Sequence, residues 1–204
     1  MIGFYNYTVW LTYIGMLSSV VGIGFACGGN ITAAVICLMF SGFCDMFDGI
    51  VARTKKDRTD EERRYGIQLD SLSDVVCFGV LPVAIGYNIG ATAWWQVAIM
   101  AAFALAGLIR LAYYNVTEET RQQQTTEKRK HYLGVPITTS ALTVPLLFCF
   151  EKLLGTNFPL AYTLLLLVNG ACFIVPIQVK KPSKTGLAIM LVLGVIFTAC
   201  ILIF

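Results

Sequence analysis

The sequence predicts an all-α integral membrane protein, a polytopic helical bundle of about six to seven transmembrane helices. Three observations carry that reading. Hydrophobic residues make up 57% of the chain and charged residues only 13%, whereas soluble domains lie nearer half apolar and a quarter charged. The mean hydropathy is correspondingly high, +0.72. Apolar runs of about 18 to 24 residues, long enough to cross a bilayer core as helices, recur along the whole length.

Taken in order, spans are expected near 9–27, 31–53, 67–89, 93–114, 135–153, 158–179 and 184–204. The breaks between them are CGGN, the charged run after Arg53, NIGATA, the polar run 115–133, LGTN and KKPSK. Gly, Asn and Pro in such breaks end helices and form turns. The first span lacks a basic leader and a small-residue cleavage site, so it is expected to be retained. The last span has a second reading, as a re-entrant or surface segment. No break is long enough for a soluble domain, so residues 1–204 are expected to form one unit.

The basic residues set an orientation. Lys55, Lys56, Arg58, Arg63 and Arg64 share one connection; Arg121, Lys128, Arg129 and Lys130 share another; Lys180, Lys181 and Lys184 a third. The alternate connections carry no Lys or Arg. By the positive-inside rule the three basic connections and the N-terminus are cytoplasmic, and seven spans put the C-terminus outside. Seven cysteines without CxxC spacing read as helix-packing thiols rather than a disulfide framework or a zinc site. The net charge of +3 is small, and no nucleic-acid partner is expected.

The chemistry lies between Cys44 and Asp74, in CDMFDGIVARTKKDRTDEERRYGIQLDSLSD. Asp45 and Asp48 are three residues apart and Asp70 and Asp74 four apart, so each pair shares a helix face. The second span enters the basic connection just after Asp48, and the third leaves it just before Asp70. The two pairs should therefore face each other at matching depth. Ionisable groups inside membrane spans mark ion or substrate sites, and four carboxylates repel unless a cation sits among them. All-oxygen ligation suits Mg²⁺ or Mn²⁺, with Ca²⁺ a third choice. Gly49, Ala52 and Gly66 leave room for another helix or for phosphates to approach, and Arg53 offers a guanidinium fork to a phosphate oxygen. Together these features point to a lipid-linked pyrophosphate. A divalent-cation transporter is the reading from another class, although transporter sites usually lie nearer the midplane.

DMFDGIVAR followed by GIQLDSLSD resembles the signature of the CDP-alcohol phosphotransferases, D-x2-D-G-x2-A-R … G-x3-D-x3-D. Every fixed position is filled, by Asp45, Asp48, Gly49, Ala52, Arg53, Gly66, Asp70 and Asp74. The connection from Arg53 to Gly66 is longer than the family's usual one. The resemblance implies transfer of a phosphoalcohol group from a CDP-linked donor to an acceptor hydroxyl, with release of CMP. It implies Asp45, Asp48 and Asp70 as metal ligands. It makes Asp74 the general base, or a member of a second metal site. Gly49, Ala52, Arg53 and Gly66 would shape the CDP site. It also implies one CDP-alcohol phosphotransferase domain over 1–204, a homodimer, and a cell-membrane enzyme working at the cytoplasmic side.

LIRLAYYN and HYLGVPITTSA are similar to segments of the phosphatidylserine synthases of that family, R-L-A-R-F-N and F-x-G-L-P-x-P-x-A, with Tyr113 and Thr138 as departures. This resemblance implies CDP-diacylglycerol and L-serine as substrates. Arg110, Asn115, Arg129 and Lys130 are then candidates for the serine site, and Thr12, Ser18 and Ser19 for approach to the nucleotide. Glycerol 3-phosphate, inositol phosphate and an ether-lipid donor are the sibling alternatives.

Overall fold

The computed structural model describes residues 3–124, 131–180 and 184–203. A single 3-10 turn at Tyr7–Val9 leads into α1 (Trp10–Cys27), which turns back through Gly28–Asn30 into α2 (Ile31–Ala52). Gly29 supplies the positive φ of +83° that the turn needs. Asn30 then caps α2, its side-chain oxygen accepting from the Ala33 N–H at 3.1 Å. The two helices meet through small residues. Gly15, Ser19, Gly22 and Ala26 are buried along one face of α1. A Cβ on Gly15 or Gly22 would stand 3.1 or 2.8 Å from the Cβ of Cys44 or Cys37. The Ser19 and Ser41 hydroxyls share a hydrogen bond of 2.8 Å, and Ser41 also donates to the Gly15 carbonyl at 2.8 Å. In lipid, where apolar burial between helices gives little, this close backbone approach and these buried hydrogen bonds hold the pair together.

α3 (Asp60–Asp74) starts before the bilayer-spanning stretch that hydropathy marks. Thr59 and Glu62 form a reciprocal capping box, with N–H to side-chain distances of 3.1 and 3.0 Å. From Asp60 on, the charged run expected as a break between spans thus forms the first turns of a rod that runs to Asn88. A π-helical turn, Val75–Val80, joins α3 to α4 (Leu81–Asn88). Pro82 has no N–H to give to an i−4 carbonyl, and just before it the Leu81 N–H bonds to the carbonyl of Val76 instead.

α5 (Trp94–Gln124) continues ten residues beyond the expected span end, stabilised at its tip by Arg121 on Glu118 at 2.6 Å. A two-stranded antiparallel ribbon pairs β1 (His131–Leu133) with β2 (Gln178–Lys180). Between them lie α6 (Ser140–Phe148), preceded by a 3-10 turn at Ile137–Thr139, the short α7 (Glu151–Leu154), and α8 (Phe158–Ile174). α9 (Lys184–Ile203) follows.

Among the described residues six helices are long and apolar enough to cross a membrane; Ile137–Phe148 is shorter. The expected span at 135–153 is therefore broken, with Pro145 inside α6 and a turn at Cys149–Phe150. At 1.5 Å per residue the twelve residues cover only about 18 Å. The segment still runs from one end of the bundle to the other. Val135 N–H bonds to Cys172 O at 3.1 Å at one end, and the Phe148 and Phe158 rings lie 4.9 Å apart at the other.

Phe78, Leu81, Ile85, Met100, Phe103, Tyr162 and Leu166 form the buried centre, where the Tyr162 hydroxyl donates to the Pro82 carbonyl at 2.8 Å. Leu17, Val21, Leu164, Val168, Val192 and Val195 are exposed instead. Helices apolar on both faces belong in lipid. All seven cysteines are free; Cys44 and Cys77 are buried, while Cys27 is exposed.

The α1–α2 contact gives a direct test. Gly22→Ala, whose new Cβ meets Cys37, should lower the unfolding temperature of the detergent-purified protein, by about 1–3 kcal/mol of overpacking. Gly24→Ala lies on the same helix with nothing within 4 Å of its Cβ. That control should be neutral or stabilising, by up to about 1 kcal/mol of helix propensity. Equal effects would show that the close face is not a structural constraint.

Candidate active site

At the end of the bundle where α2 stops and α3 begins, the acids converge. Carboxylate oxygens of Asp45, Asp70 and Asp74 lie within 4.8 Å of one another. Among the described residues Asp48 has a neutral partner: the Thr12 hydroxyl donates to its Oδ2 at 3.0 Å. All four helical positions face each other as the spacing requires. The tightest trio, however, contains Asp74, where the resemblance implied Asp48.

Two features fit this trio to a divalent cation. Asp70 Oδ1 is buried and has no hydrogen-bond partner among the described residues, a state that costs free energy unless a cation or donor meets it. The acids also line a cavity of about 10 Å³, shared with Thr12 and Ser73, which is space for one water-sized particle. A nucleotide does not fit inside it, so any larger ligand must approach from outside.

Gly49, next to Asp48 on α2, is open. Nothing lies within 4 Å of a Cβ built there, and the residue is exposed. Of the two uses expected for this glycine, a helix contact is therefore absent and space for a ligand remains. Ala52, the last residue of α2, is half-buried, and Arg53 follows it as an exposed C-cap. Gly66 is approached from above by Arg58, whose Nη2 lies 2.6 Å from the position of a Cβ.

The segment before α1 closes the same end. Asn6 Nδ2 donates to Glu62 Oε1 at 2.9 Å, the Tyr7 and Thr54 hydroxyls meet at 3.0 Å, and those of Tyr13 and Tyr65 meet at 3.2 Å. Lys55 donates to Glu62 at 2.7 Å, and that bond holds its ammonium above the usual lysine range. Thr12 is thus beside the acids, as expected of a site residue. Ser18 and Ser19 are not; they bond to Cys37 O and Ser41 within the α1–α2 contact.

Asn115 is at the same end, its side chain exchanging hydrogen bonds of 2.9 and 3.1 Å with Ser71, the neighbour of Asp70. The spacing of α3 alone did not reveal Ser71, because its role depends on α5 arriving there. Arg110 is buried about a turn and a half earlier on α5. Its Nη1 lies 2.9 Å from where Gly134 would carry a Cβ, and Gly134 takes the φ of +75° that keeps this space clear. Arg129 and Lys130 lie outside the described residues.

Residues 5–175 match a family model described as CDP-alcohol phosphatidyltransferase. The chain is 40% identical over 122 residues to a CDP-diacylglycerol–serine O-phosphatidyltransferase of Saccharomyces cerevisiae, covering 58% of this chain and 43% of the relative. It is 33% identical over 145 residues to an enzyme of the same name from Helicobacter pylori, covering 69% and 54%. It is 30% identical over 135 residues to an archaetidylserine synthase of Methanothermobacter thermautotrophicus, covering 66% and 54%. The chain spans about half the length of these relatives.

The carboxylate cluster predicts a change of sign. In chelator, Asp70→Asn should raise the unfolding temperature, because one like charge is gone. With Mn²⁺ in hundredfold excess over its Kd, wild type should gain about 2.7 kcal/mol and the variant little. A wild-type protein whose unfolding ignores Mn²⁺ and Mg²⁺ would remove the metal assignment.

Proposed function

The chain belongs to the CDP-alcohol phosphatidyltransferase family, and from that premise we propose that it transfers the phosphatidyl group of CDP-diacylglycerol to the hydroxyl of L-serine, releasing CMP. The observation that carries this reading is the acidic trio within 4.8 Å, with a buried unpartnered Asp70 oxygen beside the open face at Gly49. Asp45, Asp48, Asp70 and Asp74 would hold Mg²⁺ or Mn²⁺, both suited to oxygen ligands. The ion, when bound, supplies positive charge against the pyrophosphate and the departing CMP.

The rest of the chemistry falls to the chain. Asp74 takes the proton of the acceptor hydroxyl as that oxygen bonds to phosphorus and the pyrophosphate P–O bond breaks toward CMP. Thr12 holds Asp48 in place from α1. Gly49, Ala52, Arg53 and Gly66 form the surface that receives the CDP group outside the small cavity. Arg110 is proposed to meet the serine carboxylate, with Asn115 oriented by Ser71 next to Asp70; Arg129 and Lys130 belong to the same proposal. The names of the yeast and Helicobacter relatives support serine as acceptor. The archaeal relative supports a second donor, an ether-linked CDP lipid with the same acceptor. Single-domain organisation over 1–204 and a homodimer are proposed on the family resemblance. The cytoplasmic face of the cell membrane is proposed because basic connections surround the acidic end.

CMP release by the purified protein with CDP-diacylglycerol and Mn²⁺ or Mg²⁺ tests this. Serine should support release, and glycerol 3-phosphate and inositol phosphate should not; Asp70→Asn and Asp74→Asn should abolish it. Arg110→Lys should raise the KM for serine about tenfold or more, the loss expected for one hydrogen bond to a charged group. Release with a different acceptor alone would replace serine, and faster release from an ether-linked donor would replace the acyl lipid. No release from folded protein with any acceptor or donor would favour divalent-cation transport.

A further inference from the structure

We propose that Arg58, contributed by the lengthened connection between the two halves of the acidic motif, binds the phosphates of the CDP-linked donor. This deepens the proposed function and rests on it. Arg58 is half-buried, and its guanidinium bridges the two helices. Nη1 faces the Ala52 carbonyl at 3.4 Å, at the end of α2, and Nη2 donates to the Glu62 carbonyl at 3.2 Å, in the first turn of α3. Nε is buried and has no hydrogen-bond partner among the described residues. Ala52 follows Asp48 by four residues and Gly66 precedes Asp70 by four, so the guanidinium stands about one helical turn, ~6 Å, beyond that acidic pair.

The other basic residues of this connection that carry ion pairs serve as a contrast. Lys55 is paired with Glu62 at 2.7 Å, Arg63 with Asp60 at 3.6 Å, and Arg64 with Glu119 at 2.6 Å. Among the described residues Arg58 has no carboxylate partner. Its charge is met only by two backbone carbonyls, and a half-buried guanidinium left in that state retains strong attraction for an anion. Gly66 makes the position possible, because a Cβ would stand 2.6 Å from Nη2. A planar guanidinium beside a metal-binding acidic cluster matches the two needs of a pyrophosphate, a cation at one side and a directional donor at the other.

A residue that only laced α2 to α3 would affect all ligands alike, and the test is built on that difference. Binding of CDP, CMP and cytidine to the purified full-length protein in Mn²⁺ is measured for wild type, R58A, R58Q and R58K, together with KM values for CDP-diacylglycerol and serine. We expect R58A and R58Q to weaken CDP about tenfold or more, the scale of a hydrogen bond to a charged group. Cytidine binding and the KM for serine should move less than about twofold, and R58K should recover part of the loss. The KM for CDP-diacylglycerol should rise in step with CDP binding. R58Q and R58K retain donors for the carbonyls, so they decide the matter if R58A fails to fold. CDP binding within about twofold of wild type in R58Q, or equal losses for CDP and cytidine, would overturn the role of Arg58 while leaving the proposed function standing. Wild-type protein that binds none of the three ligands would overturn that function and the role of Arg58 with it.

Discussion

Mutual repulsion among four carboxylates at one end of an apolar bundle is the constraint on which the other features of this structure depend. At an effective dielectric of about 20, two unit charges 4.8 Å apart repel by roughly 3–4 kcal/mol. A trio contains three such pairs, so ionised acids do not gather unaided. They are held by what lies behind them. α1 and α2 pack closely where Gly15 and Gly22 leave room for Cys44 and Cys37, Thr12 reaches across from α1 to Asp48, and the capping box starts α3 on the far side. The assembly that results is rigid where the charges are, which is what a divalent ion with strict ligand geometry requires.

The π-helical turn belongs to the same arrangement. Asp74 is the last residue of α3, and Val75 begins the turn. In lipid each backbone group must find a partner inside the protein, and Pro82 removes one donor from the rod. The shift to an i−5 bond at Leu81 absorbs that defect without ending the helix. It also separates two demands on one rod: Asp70 and Asp74 turn toward α2, while Phe78, Leu81 and Ile85 point into the centre of the bundle. Tyr162, fully buried, secures the segment by its bond to the Pro82 carbonyl.

The sequence was legible where physics is local. Carboxylates three and four apart on apolar segments must share helix faces, and the structure brings Asp45, Asp48, Asp70 and Asp74 together. The apolar runs marked the helices well but their ends poorly. The start of α3 is set by Thr59 and Glu62, a capping signal inside a segment whose charge made it look solvated. The tip of α5 is kept helical by Arg121 on Glu118 and by Arg64 reaching Glu119, contacts that hydropathy does not register. At the break after Phe148 the Cys149 and Phe150 N–H groups turn back to the Pro145 and Leu147 carbonyls, a local geometry that the hydropathy of the run does not register. Other features required the three-dimensional fold. Ser71 gains its meaning when Asn115 arrives from α5, and Arg58 when its connection folds back over Gly66. The bond from Thr12 to Asp48 likewise appears only when α1 packs beside α2.

The shape of the site explains why its parts come from such different kinds of sequence. The acidic cavity of about 10 Å³ has room for a single small particle, so an ion held there and any larger ligand would occupy separate places. The cavity is formed inside helices, where positions are stiff and spacing encodes them. The neighbouring surface is formed by helix ends and a connection: the exposed face at Gly49, the α2 terminus at Ala52 and Arg53, and Gly66 beneath Arg58. Such segments accept changes of length that a packed helix does not. A longer connection between the two motif halves therefore leaves the acids unmoved, yet it sets a guanidinium over Gly66, at the same end of the bundle.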